Sequence, residues 1–483
     1  MNKVISKTSK KKLFCGNTQN LLIVADCSKS EHLVHFFDCI TGQYLYRHPL
    51  KIQNDLVGFN FLRKKIQVVL DKKRIRTNEV DFVLEDPASY SQEFIYFLQK
   101  EGFNVLYVNA FQASKYRDNT RASSDLLDLD GIVRSALMGQ SYQTREMGEV
   151  YSRIKESHRE RNRLVKEENR HKNIIHSQID QLFPGYLSKT KSGIHPFSKA
   201  CVELMSCSEF GPQLFLNGSS KRVLKLIAKA GFNEPQKVQE DLAQLSAKCL
   251  DITNLEPEVY VMRLNRLHAQ LKLLKMRREC IELEEQSLAE LLQHTPYALL
   301  TSITGSGIIT VSAIAGELGD PAKWPDADKI ASYAGIVPRQ KQTGGSSKPT
   351  VTSTPPKAAN KYLKNALMTI VRVAKSFQSR AYKETGIIHP LKAHFDCVAL
   401  RGGSSYTSTS KKLLRIMIAM LRDETIYMPD IHTTPPELYL QWLEQCSGRM
   451  IEKWQASGID PTPENYLGKW LKTKELLSQI IHK

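Results

Sequence analysis

Four acidic residues carry the first chemical signal in the chain. Asp26 closes the apolar run Leu21-Leu22-Ile23-Val24-Ala25, and Glu85 closes a second, Val80-Asp81-Phe82-Val83-Leu84. Each run reads as a short buried strand ending in a carboxylate. Asp125 and Asp128 lie three apart in Ser124-Asp125-Leu126-Leu127-Asp128, so on a helix both leave from one face. Carboxylates brought together repel unless a cation sits among them, and Mg²⁺ (or Mn²⁺) takes a few such oxygens while keeping room for water and phosphate. Two such ions can clamp the attacking and leaving oxygens of a phosphodiester, which is nuclease or strand-transfer chemistry. Taken singly, each acid reads as well as a helix cap or a solvated charge. Asp26 precedes Cys27-Ser28-Lys29, a turn-like segment, and Asp125 suits a helix N-terminus.

The elements that must position these acids follow from periodicity. Strand patterns occupy 21–25, 33–37, 44–50, 80–84 and 104–108, and a helical pattern over 92–99 is ended by Gly102. Three strands followed by strand-helix-strand predict an α/β sheet whose first strands are antiparallel. From 146 to 182 the chain is charged and helical, with apolar positions at Ile175, Ile179 and Leu182 before Pro184-Gly185 stops it. Residues 185–257 hold shorter helical pieces with no chemistry of their own. Then Tyr260, Leu264, Leu267, Leu271, Leu274, Ile281, Leu288 and Leu292 keep 4–3 spacing, broken at Arg278 and Glu285. That is a coiled-coil stripe, able to pair with the 146–182 helix, with a second protomer, or with both; pairing within the chain is the cheaper reading.

Pro296 opens a further region. Residues 300–310 read as two helices around Gly305-Ser306-Gly307, whose turn amides can hold a DNA phosphate without reading bases; a plain turn is the equal alternative. A Gly/Ser/Thr/Pro-rich loop with Thr343-Gly344-Gly345-Ser346-Ser347 runs from Arg339 to about Pro356. Apolar helices with basic faces follow at 361–376 and 411–422. The last stretch, 431–483, carries Trp442, Trp454 and Trp470 in amphipathic helices suited to packing on the body or on a neighbouring subunit.

The 483 residues hold 68 Lys and Arg against 50 Asp and Glu, a formal net charge of +18, which points to a polyanionic partner, nucleic acid first. Between Arg339 and Asp423 sixteen Lys or Arg face three acids, so most of the excess is local and fits phosphate contacts. Nine cysteines include no Cys-x-x-Cys pair, which excludes the common zinc spacings and a disulfide framework. No apolar run is long enough for a membrane span, and the Lys-rich start lacks the core of a secretory signal, so a cytoplasmic protein without membrane contact is expected. No recognition-helix or zinc-finger signature is present.

Together these motifs resemble the DEDD transposases of insertion sequences, a family that includes pilin-gene invertases and bridge-RNA-guided recombinases. In the N-terminal part the matches are Ala25-Asp26-Cys27-Ser28-Lys29, Leu84-Glu85-Asp86-Pro87-Ala88-Ser89-Tyr90, Gly102 to Asn109, Ser123 to Asp128 and Phe183-Pro184-Gly185. In the C-terminal part they are Ser302-Ile303-Thr304-Gly305-Ser306-Gly307 and Ala331 through Gln340. The resemblance covers roughly 20–182 and 258–425. It implies an α/β RNase H-like (RuvC-like) domain over 1–145 that binds Mg²⁺ through Asp26, Glu85, Asp125 and Asp128. It further implies a helical coiled-coil region over 146–295 with an insertion at about 185–257, and a mainly α C-terminal transposase domain over 296–430. A Trp-rich tail follows. A hydroxyl in the C-terminal domain would form a transient covalent link to double-stranded DNA, a structured guide RNA would choose donor and target, and the chain would work as a homo-oligomer, dimer or tetramer.

Two departures from the family stand out. Its Ser-Gly-Gly is here Thr343-Gly344-Gly345; threonine keeps the hydroxyl, but its methyl stiffens the side chain and crowds attack. Ser346 or Ser347 offers an alternative hydroxyl. The family's later Ser-Lys-x-Gly-Asn-x-x-Leu-Arg reads Pro356 to Lys364, with the glycine lost and arginine replaced by lysine, which lacks the planar fork for phosphate. The nucleic-acid-binding candidates are Gly305, Gly307, Arg339, Lys341, Lys348, Lys357, Asn360, Lys361 and Lys364. Two other functions share these residues: a metal-dependent junction-resolving nuclease that uses water, and a non-catalytic nucleic-acid-binding protein derived from a transposase.

Overall fold

The computed structural model describes residues 21–85, 91–117, 125–143, 148–217, 220–249, 256–324, 326–337, 339–341, 350–352, 359–376, 390–428 and 435–481. The chain divides into two compact units, Met1–Glu146 and Met147–Lys483.

The first unit is built on a seven-stranded sheet. Its strands are β1 (Leu21–Cys27), β2 (Glu31–Asp38), β3 (Gln43–Tyr44), β4 (Leu50–Gln53), β5 (Val80–Glu85), β6 (Asn104–Val108) and β7 (Tyr142–Gln143). The order is β3-β2-β1-β5-β6-β7, with β4 also on β2; β1, β5 and β6 run parallel and the remaining pairings are antiparallel. The antiparallel opening and the strand-helix-strand that follows agree with the sequence pattern. The single strand expected over 44–50 is instead two short pieces, because the chain bends over 45–48 and Pro49 cannot donate to a ladder.

Four helices cover the sheet: α1 (Leu56–Lys73), α2 (Gln92–Lys100), α3 (Ala110–Lys115) and α4 (Asp125–Leu137). α1, which the periodicity left unassigned, is started by Asp55, whose carboxylate accepts from the Gly58 amide at 2.7 Å. Strand alternation then sorts the faces. Leu21, Ile23 and Ala25 of β1 pack with Phe59, Leu62 and Ile66 of α1 and Phe94 of α2. Leu22 and Val24 face the other way, with Val83 of β5, onto Leu129, Ile132 and Val133 of α4.

The second unit begins with a pair of long antiparallel helices, α5 (Glu149–Leu182) and α11 (Pro257–Leu292), packed on each other within the chain. Leu264, Leu267, Leu271, Leu274, Ile281, Leu288 and Leu292 of the 4–3 stripe are buried. Both breaks in that stripe are ion pairs to α5. Arg278 reaches the buried Glu168 at 3.0 Å and the Phe197 carbonyl at 2.9 Å, and Glu285 takes Arg161 at 2.6 Å. A charge at a seam position opposite its counter-charge fixes register, because a one-turn slip leaves both unpaired in apolar surroundings.

Five short helices, α6 (Lys189–Ser192), α7 (Lys199–Met205), α8 (Pro212–Asn217), α9 (Ser220–Ala230) and α10 (Pro235–Ala247), close over one end of this pair. Their core merges Phe183, Tyr186, Phe210, Phe215 and Leu242 with Ile175 and Ile179 of α5 and Leu267 and Leu271 of α11. At the other end a larger core holds the 3₁₀ turn Pro296–Ser302, α12 (Ile308–Leu318), α13 (Ala327–Tyr333), α14 (Lys361–Ser376) and the helices Pro390–Leu400, Ser405–Asp423, Pro436–Gln455 and Tyr466–Ile481. Trp442, Trp454 and Trp470 of the tail are buried in this same core: Trp454 donates to Thr301 Oγ1 at 2.9 Å and Trp470 to Ser447 at 3.2 Å. Among the described residues no helix is long and apolar enough to cross a membrane.

Candidate active site

Parity along the strands places the acids. Asp26 shares the face of Leu22 and Val24, and Glu85 shares the face of Val83, so both belong to the side of the sheet covered by α4. β1 and β5 are parallel neighbours in the register Ala25↔Leu84, so Asp26 and Glu85 occupy the next rung at one end of the sheet. α4 opens with Asp125 and carries Asp128 one turn later. Their charges act on one another. The Asp26 carboxyl is pushed above its ordinary range by burial and then by the negative charges of Asp128 and Asp125, with Arg117 acting in the opposite sense. The neighbouring Cys27 thiol is pushed up to about 12 by burial, then by Asp26 and Glu85. Asp26 thus feels Asp125 and Asp128 of α4, and Cys27 feels Asp26 and Glu85 at the β1–β5 strand ends.

Arg117 was not anticipated in the sequence. Its guanidinium lies 2.5 Å from Asp128 Oδ1, with both side chains less than one-fifth exposed. Among the described residues no three carboxylate, imidazole or thiol groups draw close enough to hold one ion. Carboxylates are the donor type a hard cation takes, but here Asp128 Oδ1 is engaged by Arg117. Asp26, Glu85, Asp125 and Asp128 are the residues that would hold a divalent metal, with Arg117 in place as a positive charge on one of them.

In the second unit Thr343, Ser346, Ser347, Lys348 and Lys357 lie outside the described residues. A short ladder flanks the first four: β8 (Arg339–Lys341) pairs antiparallel with β9 (Thr350–Thr352), Lys341 opposite Thr350. Arg339 and Lys341 sit on β8. Lys361 is exposed at the start of α14, its Nζ 5.3 Å from the Tyr362 ring, and Lys364 is half-buried one turn on.

Gly305 and Asn360 are held by the fold itself. Gly305 has φ +87°, and a Cβ there would come within 2.7 Å of Val373 Cβ and 3.2 Å of the Ile370 carbonyl on α14. The Ser306 hydroxyl donates into the preceding 3₁₀ turn, and Lys453 Nζ from the tail donates to the Thr301 and Ser306 carbonyls at 2.6 and 3.0 Å. Burial pushes that lysine down to about 8. Gly307 caps α12, and a Cβ there would meet open space. Gly305→Ala is accordingly expected to destabilise the second unit by about 2–5 kcal/mol, the sum of a left-handed residue and an overpacked contact. Thermal unfolding measures it, and a loss under ~1 kcal/mol would contradict the packing role.

The Asn360 carboxamide is fully used. Its oxygen accepts from the Tyr362 and Leu363 amides at 3.1 and 3.0 Å, capping α14, and its nitrogen donates to Glu317 and to the Tyr333 hydroxyl at 2.8 Å each. Glu317, its side chain 1% exposed, also takes Arg159 of α5 in a two-pronged pair at 3.0 and 3.1 Å. The β8–β9 ladder thus precedes a helix whose start is bolted to α12 and α5.

A basic groove of about 530 Å³ lies between the helices Pro390–Leu400 and Ser405–Asp423, lined by His394, Ser408, Lys411, Lys412, Arg415, Ile416 and Ala419. Lys411 pairs with Asp328 at 2.9 Å, and His394 is held to Ser408 at 3.1 Å. Burial, then Lys412 and Arg401, push the His394 imidazole below its ordinary value. Only a basic helix face is legible in the sequence here; the partner helix that makes it a groove is supplied by tertiary packing.

Comparison with known proteins agrees with this layout. Residues 24–184, which contain all four acids, match the model of a DEDD transposase family, and residues 297–385 match that of the transposase IS116/IS110/IS902 family. The "Insertion element IS110 uncharacterized 43.6 kDa protein" of Streptomyces coelicolor is 29% identical over 149 residues, 30% of this chain and 33% of that protein. The "Probable family 20 transposase" of Pseudomonas aeruginosa is 30% identical over 152 residues, 30% of this chain and 41% of that protein. The chain thus spans between a third and two-fifths of the length of these curated relatives. With both family models matched in order along it, the chain belongs to the DEDD-type IS110 transposase family.

Proposed function

We propose that the protein is a DNA transposase that cuts and exchanges strands in a divalent-metal-dependent reaction through a covalent protein–DNA link. The observation that carries this reading is the match of residues 24–184, which hold Asp26, Glu85, Asp125 and Asp128, to the DEDD transposase family; Asp26 and Glu85 at neighbouring parallel strand ends and the charges of Asp128 and Asp125 acting on Asp26 support it. A bound Mg²⁺ or Mn²⁺ would supply Lewis-acid polarisation of a phosphodiester and charge neutralisation for its leaving oxygen. The four carboxylates would orient that charge and keep the site acceptor-only.

The nucleophile in this reading is the Thr343 hydroxyl, in the segment that joins β8 and β9. Its oxygen attacks phosphorus and loses its proton. The P–Oγ1 bond forms as the bond to the leaving strand oxygen breaks, and that oxygen takes up a proton. A free strand end of the partner duplex then attacks the same phosphorus and releases threonine, so no ester energy is lost. Lys361 and Lys364 of α14, with the groove of Lys411, Lys412 and Arg415, would hold the backbones through contacts that weaken as salt rises. A structured RNA as sequence reader and assembly as a dimer or tetramer belong to the same reading on the strength of the family resemblance.

The test is whether the purified full chain, with Mg²⁺ and its co-purified RNA, becomes covalently attached to labelled donor DNA. Attachment is the expected result. Free cleaved ends without attachment would favour a junction-resolving nuclease that uses water, a reading that the threonine in place of the family serine keeps in view.

A further inference from the structure

α11 carries a second apolar stripe besides the one it buries on α5. The buried stripe runs through Leu267, Leu271, Leu274 and Ile281. Ala269, Leu273, Met276, Cys280 and Leu283 keep the same 4–3 spacing two residues out of step, which is about 200° round the helix. All five are exposed, Leu273, Met276 and Leu283 by 46, 53 and 65%. Single apolar residues on a surface are ordinary, whereas a continuous seam of them along one helix marks an interaction surface.

The charges along α11 say what fits that seam. Between Arg263 and Arg278 there are six Lys or Arg and no acid, and between Glu279 and Leu292 five Glu and no Lys or Arg. A second α11 laid parallel would set like against like, Lys272 beside the partner's Arg277 and Glu279 beside the partner's Glu284. Laid antiparallel, each basic half meets an acidic half. The face is complementary to its own reversed copy.

We propose that this face docks a second copy of the chain, α11 against α11 and antiparallel, about a two-fold axis between Leu273 and Met276. In that register Leu273 lies on the partner's Met276 and Ala269 faces the partner's Cys280. The exposed Lys272 stands beside the partner's exposed Glu279, on the same flank of the seam. The Arg266 stem covers the partner's Leu283 with its head in water. Two-fold symmetry repeats every one of these pairs. The inference rests on the oligomeric part of the reading above and names the surface that makes it. It needs neither metal nor threonine chemistry, so it stands or fails without DNA.

The experiment is disulfide trapping of the full chain in the absence of DNA and metal. Ala269→Cys places a thiol opposite the partner's Cys280, and oxidation by diamide is expected to link two chains through a bond that Cys280→Ser removes. Wild type under the same oxidation gives the background. Sedimentation equilibrium of the reduced proteins is the second readout, and because each altered side chain is exposed, the variants should fold as wild type does. Leu273→Glu is expected to weaken the dimer by about tenfold or more, from lost apolar burial on both sides of the axis. Lys272→Glu and Glu279→Lys should each weaken it severalfold, and the double variant, which only exchanges the two signs, should return it to the wild-type value. A wild type that stays monomeric at every concentration would overturn the inference and leave the seam to a partner of another kind. A chain–chain bond in Ala269→Cys that survives Cys280→Ser, or a double variant no tighter than the single ones, would overturn it as well.

Discussion

Asp26→Asn is expected to abolish divalent-metal binding and lower strand cleavage by roughly a thousandfold or more, the rate equivalent of losing several kcal/mol of metal stabilisation. The same substitution is expected to leave the metal-free protein as stable as wild type, or more so. The reason lies in the surroundings of Asp26. Burial and the charges of Asp128 and Asp125 push its carboxyl up. A raised folded pKa means that the folded state binds more protons than the unfolded chain above the ordinary carboxylate range. Stability is therefore lost as pH rises through that window. Asparagine carries no charge and escapes that cost. Thermal unfolding with and without Mn²⁺ reads both effects: wild type should gain stability on adding the ion, and Asp26→Asn should not. A variant that melts lower than wild type without metal, yet still responds to Mn²⁺, would remove Asp26 from the site.

Glu317→Ala is expected to destabilise the second unit by about 1–3 kcal/mol, the cost of leaving the Asn360 donor without its acceptor, since Arg159, its side chain 45% exposed, stays open to water. Glu317 is the only acid on the otherwise apolar α12, and it ties three helices together through Arg159 of α5 and Asn360 at the start of α14. The close approach it spans is tight, since a Cβ on Gly316 would lie 2.8 Å from Lys155 Cα. Removing the carboxylate strands one Asn360 donor. A melting drop of several degrees follows from roughly 2–4 °C per kcal/mol for domains of 150–250 residues. The transition of the first unit should not move, provided the two units unfold separately. Glu317→Gln should recover part of the loss, because it still accepts from Asn360. A drop under ~1 kcal/mol for the alanine would show that Arg159 and Asn360 find other partners.

Much of the first unit is legible in the residues because its physics is local. The runs 21–25 and 80–84 are continuous apolar stretches because β1 and β5 are covered on both faces, and the acids end them where the cover stops. The three-residue spacing of Asp125 and Asp128 is legible for the same reason, since helix geometry alone fixes their common face. Arg117 is not legible. It is one basic residue in a polar stretch, and its contact with Asp128 arises from how α3 packs on α4.

The second unit shows the same division. The 4–3 stripe of α11 announces a partner helix, but Arg278 and Glu285 look like interruptions until α5 brings Glu168 and Arg161 to them. Asn360 reads as a phosphate ligand by its position in a basic motif, whereas tertiary contacts commit it to Glu317 and to the α14 cap. Glu317 itself left a trace, a single acid closing the run Ile308-Ile309-Thr310-Val311-Ser312-Ala313-Ile314-Ala315-Gly316. A lone buried carboxylate requires a counter-charge or hydrogen-bond donors.

The account stands or falls on the covalent step. The measurement is a denaturing gel of full-length protein with Mg²⁺, its co-purified RNA and labelled donor DNA, comparing wild type with Thr343→Ala, Thr343→Ser and Glu85→Gln. The account predicts a protein–DNA band in wild type, its loss in Thr343→Ala and in Glu85→Gln, and an equal or stronger band in Thr343→Ser, whose hydroxyl is less hindered. A band that persists in Thr343→Ala, or binding without any cut even in Thr343→Ser, would contradict it.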